Sequence, residues 1–312
     1  MTLKLHQPDA LIDVLAPSWS LPMLARMPEV NRAIEVRAGH GQLGLVNRLK
    51  TGLALRKEGY TRAIILPRSY KSALIPLFAR IPVRTGFRGE MRYGVINDIR
   101  KLDKSVLTQT VQRYVSLGFK HNVASAPQVP FPHLMVDEKN QQQLLLKFKL
   151  SVHKPIICMM PGAEYGSAKQ WPIEKYSALA AILNDKGFQV CVIGSAKETS
   201  LGEKITMQRP DEIFNLCGST SLVDAVDLIA MSEWVVTNDS GLMHVACATG
   251  RKLIAIYGSS TPSYTPPLSK DAKLVYHALE CSPCFERTCP LGHTQCLEGI
   301  TVDEVLECIT HQ

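Results

Sequence analysis

No apolar run in these 312 residues is long enough to span a bilayer. The opening residues carry no secretory pattern of a basic stretch, an apolar stretch and a small-residue cleavage site. Internal repeats and low-complexity segments are also absent, which sets aside solenoids and disordered tails. No nucleic-acid-binding module is recognisable. An even set of cysteines in a small loop-rich frame is missing too. The nine cysteines are odd in number and scattered through apolar segments, as at Cys158, Cys191 and Cys247. That usage excludes a secreted disulfide scaffold and predicts a reducing, cytoplasmic setting.

What remains is the composition of a soluble globular protein, 46% apolar, with a mean hydropathy near zero. The length suits two domains. Charge is uneven: residues 1–125 hold twenty Lys and Arg against eight Asp and Glu, and the remainder holds fifteen against twenty. A basic first half facing an anion is one reading, with nucleic acid or a phosphorylated lipid or sugar at a membrane as the anion. A solubilising surface is the other.

In the first half, strands are predicted at Leu11–Ala16, Arg32–Val36 and Arg62–Leu66, with helices at Pro22–Met27, Leu43–Lys57, Ser72–Phe78 and Leu107–Leu117. Alternating strands and helices imply a parallel sheet, in which ligands sit at the carboxyl ends of strands. The stretch Arg84–Asp98 sets Arg84, Arg88 and Arg92 four residues apart among glycines and aromatics. Arginine forks match phosphate and carboxylate, so these three, with Lys71 and Arg68 nearby, are predicted to form an acidic-acceptor site. The plainer alternative is a solvated loop. The Pro-rich passage Ala126–Pro132 marks the domain boundary, giving 1–132 and 133–312.

The second half continues the alternation. Strands are predicted at Pro155–Met160, Phe188–Ile193, Ile213–Leu216, Trp234–Thr237 and Lys252–Tyr257. The predicted helices are Gln141–Phe148, Ile173–Asp185, Leu222–Met231, Leu242–Thr249 and Val302–Ile309. At Trp234–Ala248 a buried strand runs into the polar turn Asn238–Gly241 and then a helix. That arrangement offers unpaired backbone amides and a positive dipole end to a phosphate. Asp239 would repel phosphate and better suits sugar hydroxyls; alternatively Asp239 or Ser240 caps the helix. Lys169, in the loop after the first of these strands, is a phosphate partner or a surface lysine. Glu198, just past the next strand, is a ribose ligand or an ordinary first-turn carboxylate. Gly258–Pro262 is a further hydroxyl-rich loop at a strand end. Near the end, Cys281, Cys284, Cys289 and Cys296 form C-x2-C-x4-C-x6-C around His293. Four soft ligands can bind zinc or iron, but the spacing differs from a paired C-x2-C ribbon; a reduced, partly buried loop is the alternative.

The segments Gly162–Pro172 and Thr237–Ala246 resemble those of glycosyltransferase family 9. Further matches are Ile12–Pro17, Arg26–Asn31, Lys71–Phe78, Arg84–Asp98, Tyr257–Pro262 and Thr265–Leu268, so the resemblance covers nearly the whole chain. It implies an α/β chain of two Rossmann-like domains in the glycosyltransferase B architecture. The reaction implied is inverting, metal-independent transfer of L-glycero-D-manno-heptose from ADP-heptose to the first heptose of the lipopolysaccharide inner core. The second domain would hold ADP-heptose and the first the lipid acceptor. By the same resemblance Lys169 meets the diphosphate and Glu198 the ribose. Asp239 meets heptose hydroxyls, and the amides of Ser240, Gly241 and Leu242 meet phosphate. Lys169 and Asp239 are the catalytic pair implied, with Lys71, Arg84, Arg88 and Arg92 on the acceptor. His244 lies on the same helix, with packing as its simpler role. No cofactor is implied. A monomer touching the inner face of the inner membrane is expected, with no nucleic-acid partner.

Family members begin with a strand and a Gly-rich loop whose Asp is taken as general base. Met1–Pro8 matches the tail of the helix after that loop, so about twenty-five to thirty residues of the pattern have no counterpart here. The first domain is therefore expected to lack a central strand and to expose strand edges, and no residue inherits the base role. Asp13 lies on the next strand and does not replace it. Two other readings stay open: a non-catalytic nucleotide-sugar-binding remnant, and a sugar-nucleotide epimerase on the same architecture. Steeply salt-sensitive DNA binding would be needed to revive a nucleic-acid protein.

Overall fold

The computed structural model describes residues 1–36 and 43–310. The chain divides into two compact units, 1–130 and 131–312.

In the first unit, β1 (Asp13–Ala16) pairs in parallel with β2 (Arg32–Glu35). A separate parallel sheet joins β3 (Arg62–Ile65), β4 (Val83–Phe87) and β5 (Asp98–Arg100) in that order. The stretch Arg84–Asp98, expected to be an acidic-acceptor site, takes in most of β4 and ends at the first residue of β5. Its glycines hid the strand signal: Gly86 sits within β4, where an added Cβ would come 3.0 Å from Ile96 and 3.2 Å from the Ile65 carbonyl. The helix Leu45–Leu55 packs on Leu74–Phe78. The contact is close because Gly52 has no side chain; an added Cβ would stand 2.8 Å from the Ile75 carbonyl.

The second unit holds one six-stranded, all-parallel sheet. Its strands are β6 (Ile156–Met160), β7 (Gln189–Val192), β8 (Phe214–Asn215), β9 (Trp234–Asn238), β10 (Lys252–Tyr257) and β11 (Ala272–Tyr276). Their spatial order is β11-β10-β9-β6-β7-β8. Chain direction reverses its lateral progress between β6 and β9, so the crevice at their carboxyl ends is the topological switch point of a doubly wound sheet. β6, β7 and β9 are buried along their whole length, as expected for parallel strands covered on both faces. The helices Ile173–Asp185 and Leu222–Met231 begin and end where the sequence predicts. Ser221 caps the second, with a reciprocal bond between its backbone and Asp224. Trp171, Tyr176, Leu179, Leu183 and Ile300 fill one core against the sheet. No helix among the described residues is long and apolar enough to cross a membrane.

Candidate functional site

The switch point gathers side chains from four separate loops. Asn238, the last residue of β9, ties the first of them down. Its amide nitrogen donates to the Pro161 carbonyl at 2.7 Å, and its oxygen accepts from the Trp171 amide at 3.1 Å. The Tyr176 hydroxyl donates to the same oxygen at 3.2 Å. One buried amide side chain thus fixes both ends of the loop 161–171, which carries Lys169. Sequence reading put Asn238 in the polar turn Asn238–Gly241 and gave it no role of its own; the structure makes it the last residue of β9.

Asp239 follows and is 6% exposed. Its Oδ2 accepts from Lys169 Nζ at 2.5 Å and from Ser260 Oγ at 2.5 Å. Thr265 Oγ1 donates to both carboxylate oxygens at 3.3 Å. Three donors satisfy this carboxylate, as a buried charge requires. Ser240 stands at the N-cap of the helix Gly241–Ala248 with no side-chain capping bond; its hydroxyl lies 3.4 Å from that of Thr237. The first-turn amides of that helix have no side-chain cap, and the Lys169 ammonium is bonded to Asp239, the residue just before the N-cap. That is the chemistry of an anion site. Ser260 and Thr265 were not singled out in the sequence. Ser260 had its trace in the hydroxyl-rich loop after β10, and Thr265 only in opening the family-matching segment Thr265–Leu268.

Glu198 closes the turn Ala196–Glu198 that follows β7. The backbone amide of Ser195 donates to its Oε2, and a Cβ at Gly162 would come 1.9 Å from its Oε1. Its carboxylate is thus seated between Gly162 and Gly194, on the turns that leave β6 and β7. A capping bond and a place at the nucleotide edge coexist in this residue. His244 is open to solvent on one side. Packing on its other sides keeps its imidazole below the ordinary pKa, with Asp239 pulling it up and Lys169 pushing it further down.

The arginine cluster of the first unit separates into two kinds. Arg84 donates to the carbonyls of Val95 at 2.7 Å and Ile81 at 2.6 Å. Arg92 is 2% exposed and donates to Pro67 O at 2.8 Å, Ser69 O at 3.2 Å and Phe87 O at 2.5 Å. Burial lowers its pKa. These two guanidiniums brace the loops that follow β3 and β4, because buried carbonyls there need donors. Arg88, one residue beyond β4, is exposed, and Lys71 is half-buried in the turn Tyr70–Ala73 after β3. The pattern of three equivalent arginines is thus not one site in the fold: spacing of four carries no common face where the chain runs as strand, loop and bridge.

The nine cysteines are free thiols. Among the described residues no group of three or more His, Cys, Asp or Glu is arranged to hold a metal ion. The Cys289 thiol is nonetheless held below its ordinary pKa, first by the backbone amide of Thr294 and then by those of Leu291, His293 and Gly292. In contrast, burial pushes Cys158 up to about 12.

Comparison with known proteins gives the family. Residues 48–295 match the model of glycosyltransferase family 9 (heptosyltransferase). The chain is 45% identical over 320 aligned residues to lipopolysaccharide heptosyltransferase 2 of Escherichia coli K12, covering 98% of this chain and 90% of that one. It is 47% identical to lipooligosaccharide heptosyltransferase 2 of Haemophilus influenzae, covering 88% and 82%. Among solved structures, that of E. coli ADP-heptose lps heptosyltransferase II superposes with a TM-score of 0.86 at 44% identity, covering 99% of this chain and 91% of the other.

Proposed function

The chain belongs to glycosyltransferase family 9, and on that premise we propose that it transfers L-glycero-D-manno-heptose from ADP-heptose to the first heptose of the lipopolysaccharide inner core. The observation that carries this reading is the Lys169–Asp239 pair beside the uncapped start of the helix Gly241–Ala248, at the switch point of the second unit's sheet.

In this proposal the amides of Ser240, Gly241 and Leu242 and the Lys169 ammonium hold the diphosphate. As the glycosidic bond breaks, negative charge grows on the departing ADP, and the same donors stabilise it without a divalent metal or other cofactor. Asp239 orients heptose hydroxyls and is itself fixed by Ser260 and Thr265. Glu198 accepts hydrogen bonds from the ribose. Inversion follows from a single in-line attack by the acceptor hydroxyl, whose proton passes to a general base. On the acceptor side, Lys71 and Arg88 offer charge to the anionic core, while Arg84 and Arg92 fix the loops that present it. The excess of Lys and Arg in the first half of the chain would attract anionic headgroups, which supports the further part of this reading, a cytoplasmic monomer working at the inner face of the inner membrane.

Mass spectrometry of a heptose-I acceptor incubated with ADP-heptose and this chain tests the reading. Addition of one heptose is the expected result. Binding of ADP with no transfer would instead favour a nucleotide-sugar-binding protein without catalysis. Conversion of the nucleotide sugar in the absence of acceptor would favour an epimerase.

A further inference from the structure

The cysteine-rich segment lies across the loop that carries Lys169. The Ala168 amide donates to the Arg287 carbonyl at 3.1 Å, and the Tyr165 hydroxyl donates to the Phe285 carbonyl at 2.5 Å. The Phe285 amide donates to the Ser259 carbonyl at 2.7 Å, and the Ser259 amide to the Ala168 carbonyl at 3.1 Å. Gly166, at φ +152°, is glycine because the Arg287 carbonyl would stand 2.2 Å from any Cβ there. Three backbone bonds and the Tyr165 hydroxyl therefore register residues 285–287 against residues 165–168 and the loop after β10.

That registration delivers a second cation to the donor edge. The Arg287 guanidinium carbon lies 5.3 Å from the centroid of the Tyr165 ring, and Lys169 Nζ lies 5.0 Å from the same centroid. The two cationic centres are thus no more than about 10 Å apart, joined through one aromatic platform. Lys169 is balanced by Asp239. Among the described residues Arg287 has no ion-pair partner, and its side chain is exposed. Asp239 offsets one of the two positive charges at this edge, and the charge of Arg287 is left for a further anion.

We propose that Arg287 is a second diphosphate-binding residue, which the cysteine-rich segment positions on the Tyr165 ring beside Lys169. The proposal rests on the reading of this edge as the ADP-heptose site. The fork of the guanidinium suits the terminal phosphate oxygens of a nucleoside diphosphate better than a single ammonium does. It also explains why a segment so rich in turns is pinned to this loop: the segment sets the position of a charged ligand, and the disposition of its thiols is secondary to that.

Calorimetric binding of ADP and of adenosine to the full chain, compared with Arg287→Ala, Arg287→Lys and Lys169→Ala, decides the matter. For Arg287→Ala the expected result is ADP affinity about tenfold weaker with adenosine unchanged, and for Arg287→Lys a smaller loss. Unchanged ADP affinity in Arg287→Ala, while Lys169→Ala loses it, overturns the role of Arg287 and leaves the donor site standing. Equal weakening of ADP and adenosine overturns it as well, since a phosphate contact must discriminate between them. If the unaltered chain itself binds ADP no better than adenosine, the donor-site reading falls and this inference with it.

Discussion

Lys169 Nζ lies 2.5 Å from Asp239 Oδ2, across seventy residues of sequence. The side chains are 15% and 5% exposed, so the pair is largely shielded from solvent and the two charges are strongly felt. Opposite charges here have opposite meanings for a diphosphate. The lysine attracts it and the aspartate repels it, and the bound sugar must reconcile the two.

Lys169→Ala is therefore expected to weaken ADP binding by about tenfold to a hundredfold, the range of one charge-assisted hydrogen bond to phosphate. The fold should survive, because Ser260 and Thr265 still donate to Asp239. Titration calorimetry with ADP, paired with a thermal melt, reads both outcomes. Full-strength ADP binding would remove Lys169 from the phosphate site.

Asp239→Asn separates sugar from nucleotide. It preserves size, removes one negative charge beside the diphosphate, and removes the acceptor for sugar hydroxyls. ADP affinity should hold or rise, while heptose transfer falls about a hundredfold or more, by the loss of a charged contact to the reacting sugar. Steady-state transfer rates beside ADP binding make the check. A parallel loss of both would mean that Asp239 acts by holding the fold.

Gly162→Ala tests the seat of Glu198 without touching its charge. The new methyl would meet Oε1 at 1.9 Å and must displace the carboxylate. If Glu198 holds the ribose, the donor KM should rise about tenfold, in line with one displaced hydrogen-bonded group, with the acceptor KM unmoved. A normal donor KM would return Glu198 to its capping role alone.

Asp98 bears on acid stability in the first unit. Burial would raise its pKa, but bonds from Arg100 at 2.8 Å and from Thr85 at 2.8 Å outweigh that and hold it below the ordinary carboxylate value. A depressed folded-state pKa means that the unfolded chain takes up the proton first. Stability from this group is complete above the ordinary value near 3.8 and is lost as pH falls through the folded-state value. Asp98→Asn should cost about 2 kcal/mol at pH 7 and show a shallower fall in melting temperature between about pH 4 and pH 2. Melting curves across that range make the comparison, and parallel curves for the two proteins would refute it.

Much of this protein is local in origin and was legible in the sequence. The buried runs Ile156–Met160, Trp234–Asn238 and Lys252–Tyr257 are strands because continuous β-branched and apolar residues suit a sheet covered on both faces. The helix Ile173–Asp185 follows from its periodicity, and the turn after β9 follows from Asn, Asp, Ser and Gly in succession. The parallel α/β class and the placing of Lys169, Glu198 and Asp239 at strand ends came from that alternation, and the two Rossmann-like domains came from the family resemblance. Only tertiary structure could decide which donors reach which acceptors. Asp239 is held by Lys169, Ser260 and Thr265, which are distant in the chain and meet because β6, β9 and β10 are neighbours in one sheet. Arg92 reads as a binding arginine in sequence and is buried against carbonyls in the fold. Arg287 reads as one charge in a cysteine-rich stretch and arrives beside Lys169 through backbone bonds that no side-chain pattern encodes. Residue type fixes what a side chain can bind. Burial and strand order, which are properties of the whole chain, fix whether its partner is a carbonyl, a carboxylate or a ligand.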